Sequence, residues 1–372
     1  MSRTRTGLLK SALSALHFTG ADRLLAPLTR GVGVIFMLHS VRPTRGDAFG
    51  PNRILEITPE FLEQVIGLVG DSGFDVVSLD DAHARLREGD FDRPFAAFTF
   101  DDGYRDNRDF AYPIFKKHNL PFAVYVPSDF ADGRGDLWWL KLEMVIAARD
   151  AISARVDGVA ERFATATRAE KEQVFSRIYW WLRSISEFEA RRFVSELCET
   201  HGVDTSGLCR DLIMNWHELR DFAQDPLVTI GAHTRRHLAL AKLTLSEARL
   251  EIEESVRRLE RELARPIRHF SFPYGDETSA GARDFELAQE LGLQTAVTTR
   301  KGLIHERDAN LTTSLPRVSL NGDFQSRRYV KVMLSGAPFA FWDMARLLRP
   351  ETIAARSGSG VNALLTAGTS IG

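Results

Sequence analysis

The sequence contains only two cysteines in 372 residues, Cys198 and Cys209. A disulfide scaffold is excluded at this size, and a reducing compartment fits. The two thiols and nearby His201 also lack the paired ligand spacing of a structural zinc site, so they read as buried apolar positions. An excess of either charge is missing as well: 48 Lys and Arg balance 50 Asp and Glu, for a net charge of -2. A nucleic-acid-binding protein would normally carry a clear basic surplus. The longest apolar run, residues 32–38, is far too short to span a bilayer. The unbroken apolar stretch of a secretory signal is absent from residues 1–30. Glycine and proline, at 27 and 14, are too few for a collagen-like or low-complexity chain. Tyrosine and tryptophan are scarce at six each, whereas phenylalanine reaches 24. Phe buries area with no polar handle, so this bias predicts a well-packed interior. These readings predict a soluble, cytoplasmic protein with no nucleic-acid partner and leave its oligomeric state open.

What is present is ordered along the chain. Leu8, Leu9, Ala12, Leu13 and Leu16 recur at helical spacing, so residues 1–30 read as an amphipathic helical segment. With Arg3, Arg5 and Lys10 it offers a positive face for peripheral contact with an anionic membrane. From residue 31 short apolar runs alternate with helical patterns. The runs are 32–38, 74–79, 95–100, 121–126, 227–232, 267–272, 295–299 and 315–320. Thr58-Pro59 opens one helix, Asp80 caps a second, and Thr244 with Glu247 forms a capping box before a third. This alternation predicts an α/β fold, a distorted (β/α) barrel of about seven strands. Residues 131–215 break the rhythm and read as a helical insertion. The barrel then occupies 31–320, with a C-terminal helix and flexible tail over 321–372. The pairs Trp138-Trp139 and Trp180-Trp181 read as core of the insertion or as a sugar-stacking wall.

Three clusters carry chemistry, each where a strand gives way to its C-terminal loop, as active sites of such barrels do. The first is Phe98-Thr99-Phe100-Asp101-Asp102-Gly103, whose adjacent carboxylates at the end of an apolar strand ask for a compensating cation. The second is His233 with His237, which a helical turn would aim at one ion. Two His and one Asp make a facial triad with open positions, suited to zinc, cobalt, nickel, manganese or iron(II). The third is Arg268-His269-Phe270-Ser271-Phe272-Pro273-Tyr274, in which Arg268 can grip a carboxylate with two hydrogen bonds and Pro273 fixes the loop.

Together these motifs resemble the polysaccharide deacetylases of the NodB homology group, carbohydrate esterase family 4. Thr99 to Gly103, His233 to His237 and Arg268 to Tyr274 stand where that family has its first three motifs. The resemblance implies a metal-dependent hydrolase that removes acetyl groups from an N-acetylated oligosaccharide or polysaccharide precursor, with zinc as the first expectation. It implies Asp102, His233 and His237 as ligands, Asp101 as general base, Arg268 holding Asp101, and the Tyr274 N–H at the oxyanion. The family's Asp-x-x-x-Trp motif has no match. Its Leu-x-His motif, the source of the general acid, matches Leu303-Ile304-His305 by letters. Alternatively Leu315-Pro316-Arg317 fills that strand with Arg, and His39 at the end of the first strand supplies the acid. An iron(II) oxygenase on the same triad, or a catalytically impaired glycan-binding protein, are the competing readings.

Overall fold

The computed structural model describes residues 3–46 and 49–347. The tail expected from Glu351 onward lies outside the described residues. The chain forms two compact units, residues 31–327 and the two terminal segments 1–30 with 328–372.

The larger unit is built on twelve strands: β1 Gly33–Leu38, β2 Ser40–Val41, β3 Glu56–Ile57, β4 Asp75–Val76, β5 Phe95–Phe100, β6 Phe122–Val126, β7 Ala151–Val156, β8 Val159–Ala164, β9 Val228–Ala232, β10 His269–Ser271, β11 Thr295–Lys301 and β12 Leu315–Ser319. Seven of them close a parallel barrel in the order β1-β12-β11-β10-β9-β6-β5 and back to β1. Closure is made by the β1–β5 pair, in register from Gly33↔Phe95 to Leu38↔Phe100. The other edge of β5 is shared, taken by β4 near its start and by β6 near its end. The expected α/β barrel of about seven strands is therefore present, with β4 as a short eighth strand of the sheet.

Side chains alternate along each strand, and the two faces receive different contents. Ile35, Phe95, Ala97, Ala123, Val297 and Leu315 cluster on one face. The alternate positions Phe36 and Phe98 stack at 4.9 Å, and Phe98, Phe115 and Phe122 continue the ring packing onto the helix Tyr112–His118. The Phe bias of the sequence is spent here. Helix starts follow local chemistry. Thr58 and Thr244 cap their helices as the sequence predicts, with Glu247 completing the box. The helix after β4 starts two residues earlier than expected, because Ser78 rather than Asp80 caps it by accepting the N–H of Asp81.

The insertion is not wholly helical. Within it β7 and β8 form an antiparallel hairpin, turned by Asp157-Gly158 with φ of 53° and 78°. Positive φ at both turn positions is what a tight hairpin needs, and Asp-Gly supplies it at low cost. Around the hairpin lie the helices Trp138–Ala148, Arg168–Ser184 and Glu187–Thr200. Trp138 and Trp139 are core of this block, whereas Trp180 is exposed. Cys198 and Cys209 are free and buried, and burial pushes the Cys209 thiol up to about 11.

The smaller unit contains the helices Arg3–Thr19, Ala21–Thr29 and Ala337–Leu347, together with most of Arg327–Leu334. The C-terminal helix expected after residue 320 is thus two helices.

Packing inside the barrel is tight beside the third cluster. A Cβ at Gly231 would lie 2.5 Å from the Tyr125 ring and 2.8 Å from the His269 carbonyl oxygen. Backbone cannot yield as a side-chain tip can, so Gly231→Ala is expected to destabilise the protein by about 1–3 kcal/mol. Urea unfolding checks this; a loss near zero would show that β9 and β10 can separate freely.

Candidate metal and hydrolytic centre

Asp101 and Asp102 follow β5 directly, and the Asp101 N–H still continues the ladder by donating to Leu38 O. Asp102 then turns into the left-handed region with φ of 74°. His233 follows β9 in the same way. The expected helical turn between His233 and His237 is not formed. Thr234 and His237 instead adopt φ of 56° and 58°, and the His237 N–H donates to Thr234 Oγ1. This left-handed loop, not an i to i+4 helix face, brings the two imidazoles together. It is tied from outside by Glu251 of the helix Leu245–Leu263, whose carboxylate accepts from Arg236 N–H and Nε.

The result is a buried triad. Ligand atoms of Asp102, His233 and His237 all lie within 4.8 Å of one another. Asp102 Oδ1 stands 3.6 Å from His233 Nε2 and 3.2 Å from His237 Nε2. Among the described residues it accepts no hydrogen bond. A buried carboxylate oxygen without a donor is costly, and a divalent cation at this point removes the cost. His233 Nδ1 meets Ser271 O at 2.6 Å. The carbonyl can only accept, so Nδ1 carries the proton and Nε2 presents its lone pair to the triad, the arrangement of a metal-ligating histidine. The residues therefore fit a divalent metal of the facial-triad type. Burial pushes the His233 imidazole down to about 4 and that of His237 down to about 3, and it raises Asp102.

Asp101 points to a different partner from the one the motif implies. Arg317 of β12 grips it with both prongs, Nη1 to Oδ1 at 2.8 Å and Nη2 to Oδ2 at 2.7 Å. The same guanidinium donates through Nε to Thr298 O, through Nη1 to Thr99 Oγ1 and through Nη2 to Ser271 Oγ. All five of its N–H donors are thereby used. Burial pushes Asp101 up, but the charge of Arg317, then that of His233, and the Arg317 hydrogen bonds outweigh it. Asp101 is held well below the usual carboxylate range.

Arg268 does not reach Asp101. It precedes β10 at the opposite end of the barrel, half exposed, with its Nη1 3.7 Å from Asp80. Two residues of strand lie between it and Ser271, which shares the Arg317 guanidinium with Asp101. His305 is also misplaced for catalysis. Ile304 bridges to Gly33 at the start of β1, whereas Asp101 follows its end. Five residues of strand correspond to about 16 Å. His39, by contrast, lies at the triad's mouth, with Nε2 4.0 Å from Asp101 Oδ2. Burial lowers its pKa.

Pro273 and Tyr274 complete the wall. Pro273 O accepts the Gly275 N–H, and Tyr274 between them takes φ of 61°. Its ring meets the His237 ring edge-on at 4.8 Å, and its hydroxyl accepts from Trp138 Nε1 at 2.8 Å. The insertion thus belongs to the site. Trp139 packs on His237, Arg183 lies 3.7 Å over the Tyr274 ring, and Arg191 donates to His237 O. Sequence reasoning missed the partner of Asp101 and these supports. The available signal was a lone Arg inside the apolar run 315–320, a charge that a buried strand must pair.

Two outcomes test this arrangement. Arg317→Met leaves the Asp101 charge buried and unpaired, so it is expected to cost about 3–5 kcal/mol, whereas Arg268→Met should stay within about 0.5 kcal/mol. Equal losses in urea unfolding would overturn the assignment of Arg317. The pH dependence of the metal-free protein follows from the two histidines. Unfolded, they protonate near 6.5, while in the fold they resist until about 4 and about 3. The unfolded state therefore binds more protons between these values, and stability falls as pH drops through that window. The melting temperature of chelator-treated protein should decline from about pH 6.5 towards 3, and more shallowly in His233→Gln.

Residues 163–296 match the family model described as polysaccharide deacetylase. No curated protein sequence matches the chain. Among solved structures, the Streptococcus pyogenes deacetylase PplD in complex with acetate is similar at 16% identity and a TM-score of 0.51, covering 78% of this chain and 92% of that one. IcaB from Ammonifex degensii is similar at 17% identity and a TM-score of 0.50, covering 81% and 97%. At such identities the two structures speak for the fold alone. The family match over residues 163–296 agrees with the resemblance carried by the motifs, and the two structures agree with the barrel.

Proposed function

We propose that this chain is a metal-dependent deacetylase that hydrolyses the acetamide of an N-acetylated oligosaccharide or polysaccharide precursor. The family consists of hydrolases acting on carbon–nitrogen bonds. The observation that carries the reading is the orphaned Asp102 Oδ1 between two imidazoles, beside a second carboxylate held charged by Arg317. A bare facial triad would serve an iron(II) oxygenase equally well; a carboxylate kept ready beside it favours hydrolysis, which needs a base at the water.

Asp102, His233 and His237 would hold the metal, with zinc as the first choice. A divalent cation there supplies Lewis acidity and lowers the pKa of a bound water to about 7. The chain's own residues do the rest. Arg317 keeps Asp101 ionised and fixed in direction, so that its carboxylate receives the proton of the attacking water. The Tyr274 N–H serves the developing oxyanion. His39 is the imidazole nearest Asp101 outside the triad, and the role of proton donor to the departing amine falls to it. The carbon–nitrogen bond breaks, the amine keeps the donated proton, and acetate leaves. The Streptococcus pyogenes relative was solved with acetate, the product such a reaction releases. Two free cysteines suit action in a reducing compartment.

Acetate release from chitooligosaccharides and acetylated polymers, with and without chelator, tests the reading. Activity that chelator abolishes and added zinc restores is expected; activity indifferent to chelator, or none on any acetylated sugar, would overturn it. Asp101→Asn should lower kcat by about 10²–10⁴ with metal content unchanged. His39→Gln should lower kcat with little change in KM, whereas His305→Gln should match the wild type.

A further inference from the structure

The two terminal segments differ from the rest of the chain in charge. Residues 1–30 hold five Lys and Arg against one acidic residue, and 328–347 hold three against one, in a protein of net charge -2. They fold together as one compact unit. An ordinary surface helix turns its charged stripe to water and its apolar stripe inward. The helix Arg3–Thr19 keeps Leu9, Leu13 and Leu16 half-buried but, over its described side chains, turns no charged stripe to water, with Lys10 half-buried among them. From Thr6 onward its exposed positions are Gly7, Leu8, Ser11, Ala12, Ala15, Phe18 and Thr19, none of them charged. In Ala21–Thr29 the same holds for Leu24 and Leu28, one turn apart and 80% and 85% exposed, with Arg23 beside them. Phe341 and Met344 are exposed on the last helix. Six of the thirteen large apolar side chains that the described residues expose belong to this small unit. Arg328 sets its guanidinium 5.8 Å from the exposed Phe18 ring, a cation directly beside apolar surface.

We infer that this terminal unit docks on the surface of an anionic lipid bilayer. Uncharged stripes of Leu and Phe flanked by basic residues match the boundary between acyl chains and headgroup phosphates, where apolar side chains insert and cations remain at the phosphates. None of the helices in the described residues is long and apolar enough to cross a membrane, so the contact lies in the plane of the interface. A second copy is a poorer occupant of this surface, because it would set one net-positive unit against another. The inference stands on the terminal unit alone and is independent of the chemistry assigned to the barrel.

The test is sedimentation of the full chain with vesicles of phosphatidylcholine alone or mixed with phosphatidylglycerol, at low and high salt. Binding to the mixed vesicles, weakened by salt and absent from neutral ones, is expected. The double variant Leu24→Asp/Leu28→Asp should lose this binding. Both sites are exposed, and an unchanged circular dichroism spectrum and melting temperature would show that the fold is intact. Arg23→Glu, which alters no apolar contact, should weaken binding about tenfold or more. Failure of the wild type to sediment with anionic vesicles, or wild-type binding by both variants, overturns the inference. So does a dimer in solution that Leu24→Asp/Leu28→Asp dissociates while vesicle binding is absent.

Discussion

The barrel and its chemistry both depend on one buried ion pair, Arg317 with Asp101. A guanidinium enclosed in a barrel is tolerable only if every donor is met, and here the acceptors come from β5, β10, β11 and the residue just beyond β5. Three chain segments besides β12 therefore have to be in register before the charge is neutralised. The pair fixes the end of β5, and with it the direction in which Asp102 leaves the strand. It also decides the electrostatics of the site, since Arg317 holds Asp101 well below the usual carboxylate range against the upward push of burial.

Around that pair the backbone is held in unusual conformations. Seven non-glycine residues of the described chain have positive φ, and four of them, Asp102, Thr234, His237 and Tyr274, form the site. Each costs of order 1–3 kcal/mol and persists only where surrounding contacts over-determine it. Those contacts are visible: Glu251 on the loop between the histidines, Arg191 on the His237 carbonyl, Trp138 on the Tyr274 hydroxyl. Two of these three supports come from the insertion. The inserted block therefore supports loop conformations at the C-terminal ends of the barrel strands that these loops would not hold alone.

The barrel was legible in the sequence because buried parallel strands read as continuous apolar runs, and each of the eight runs overlaps one of the sheet's strands. The triad was legible because its residues sit directly after such runs. The insertion's hairpin was hidden behind charged residues at helical spacing, although Asp157-Gly158 between two alternating segments is a strong hairpin signal. The Arg268 expectation failed because a motif gives the distance along the chain and says nothing of which end of a three-residue strand a side chain occupies. His305 failed for the same reason, its letters matching while the bridge from Ile304 to Gly33 carries it to the far mouth.

The sequence by itself determined the alternation of strand and helix, the helix caps and the set of residues able to hold a metal, because each follows from patterns a few residues long. Only the tertiary structure decided which cation meets Asp101, which histidine stands near it and what the insertion is for. Those choices join residues 216 positions apart, as Arg317 and Asp101 are. They are set by barrel closure and by the need to satisfy every buried charge, constraints that act between strands and leave no local pattern.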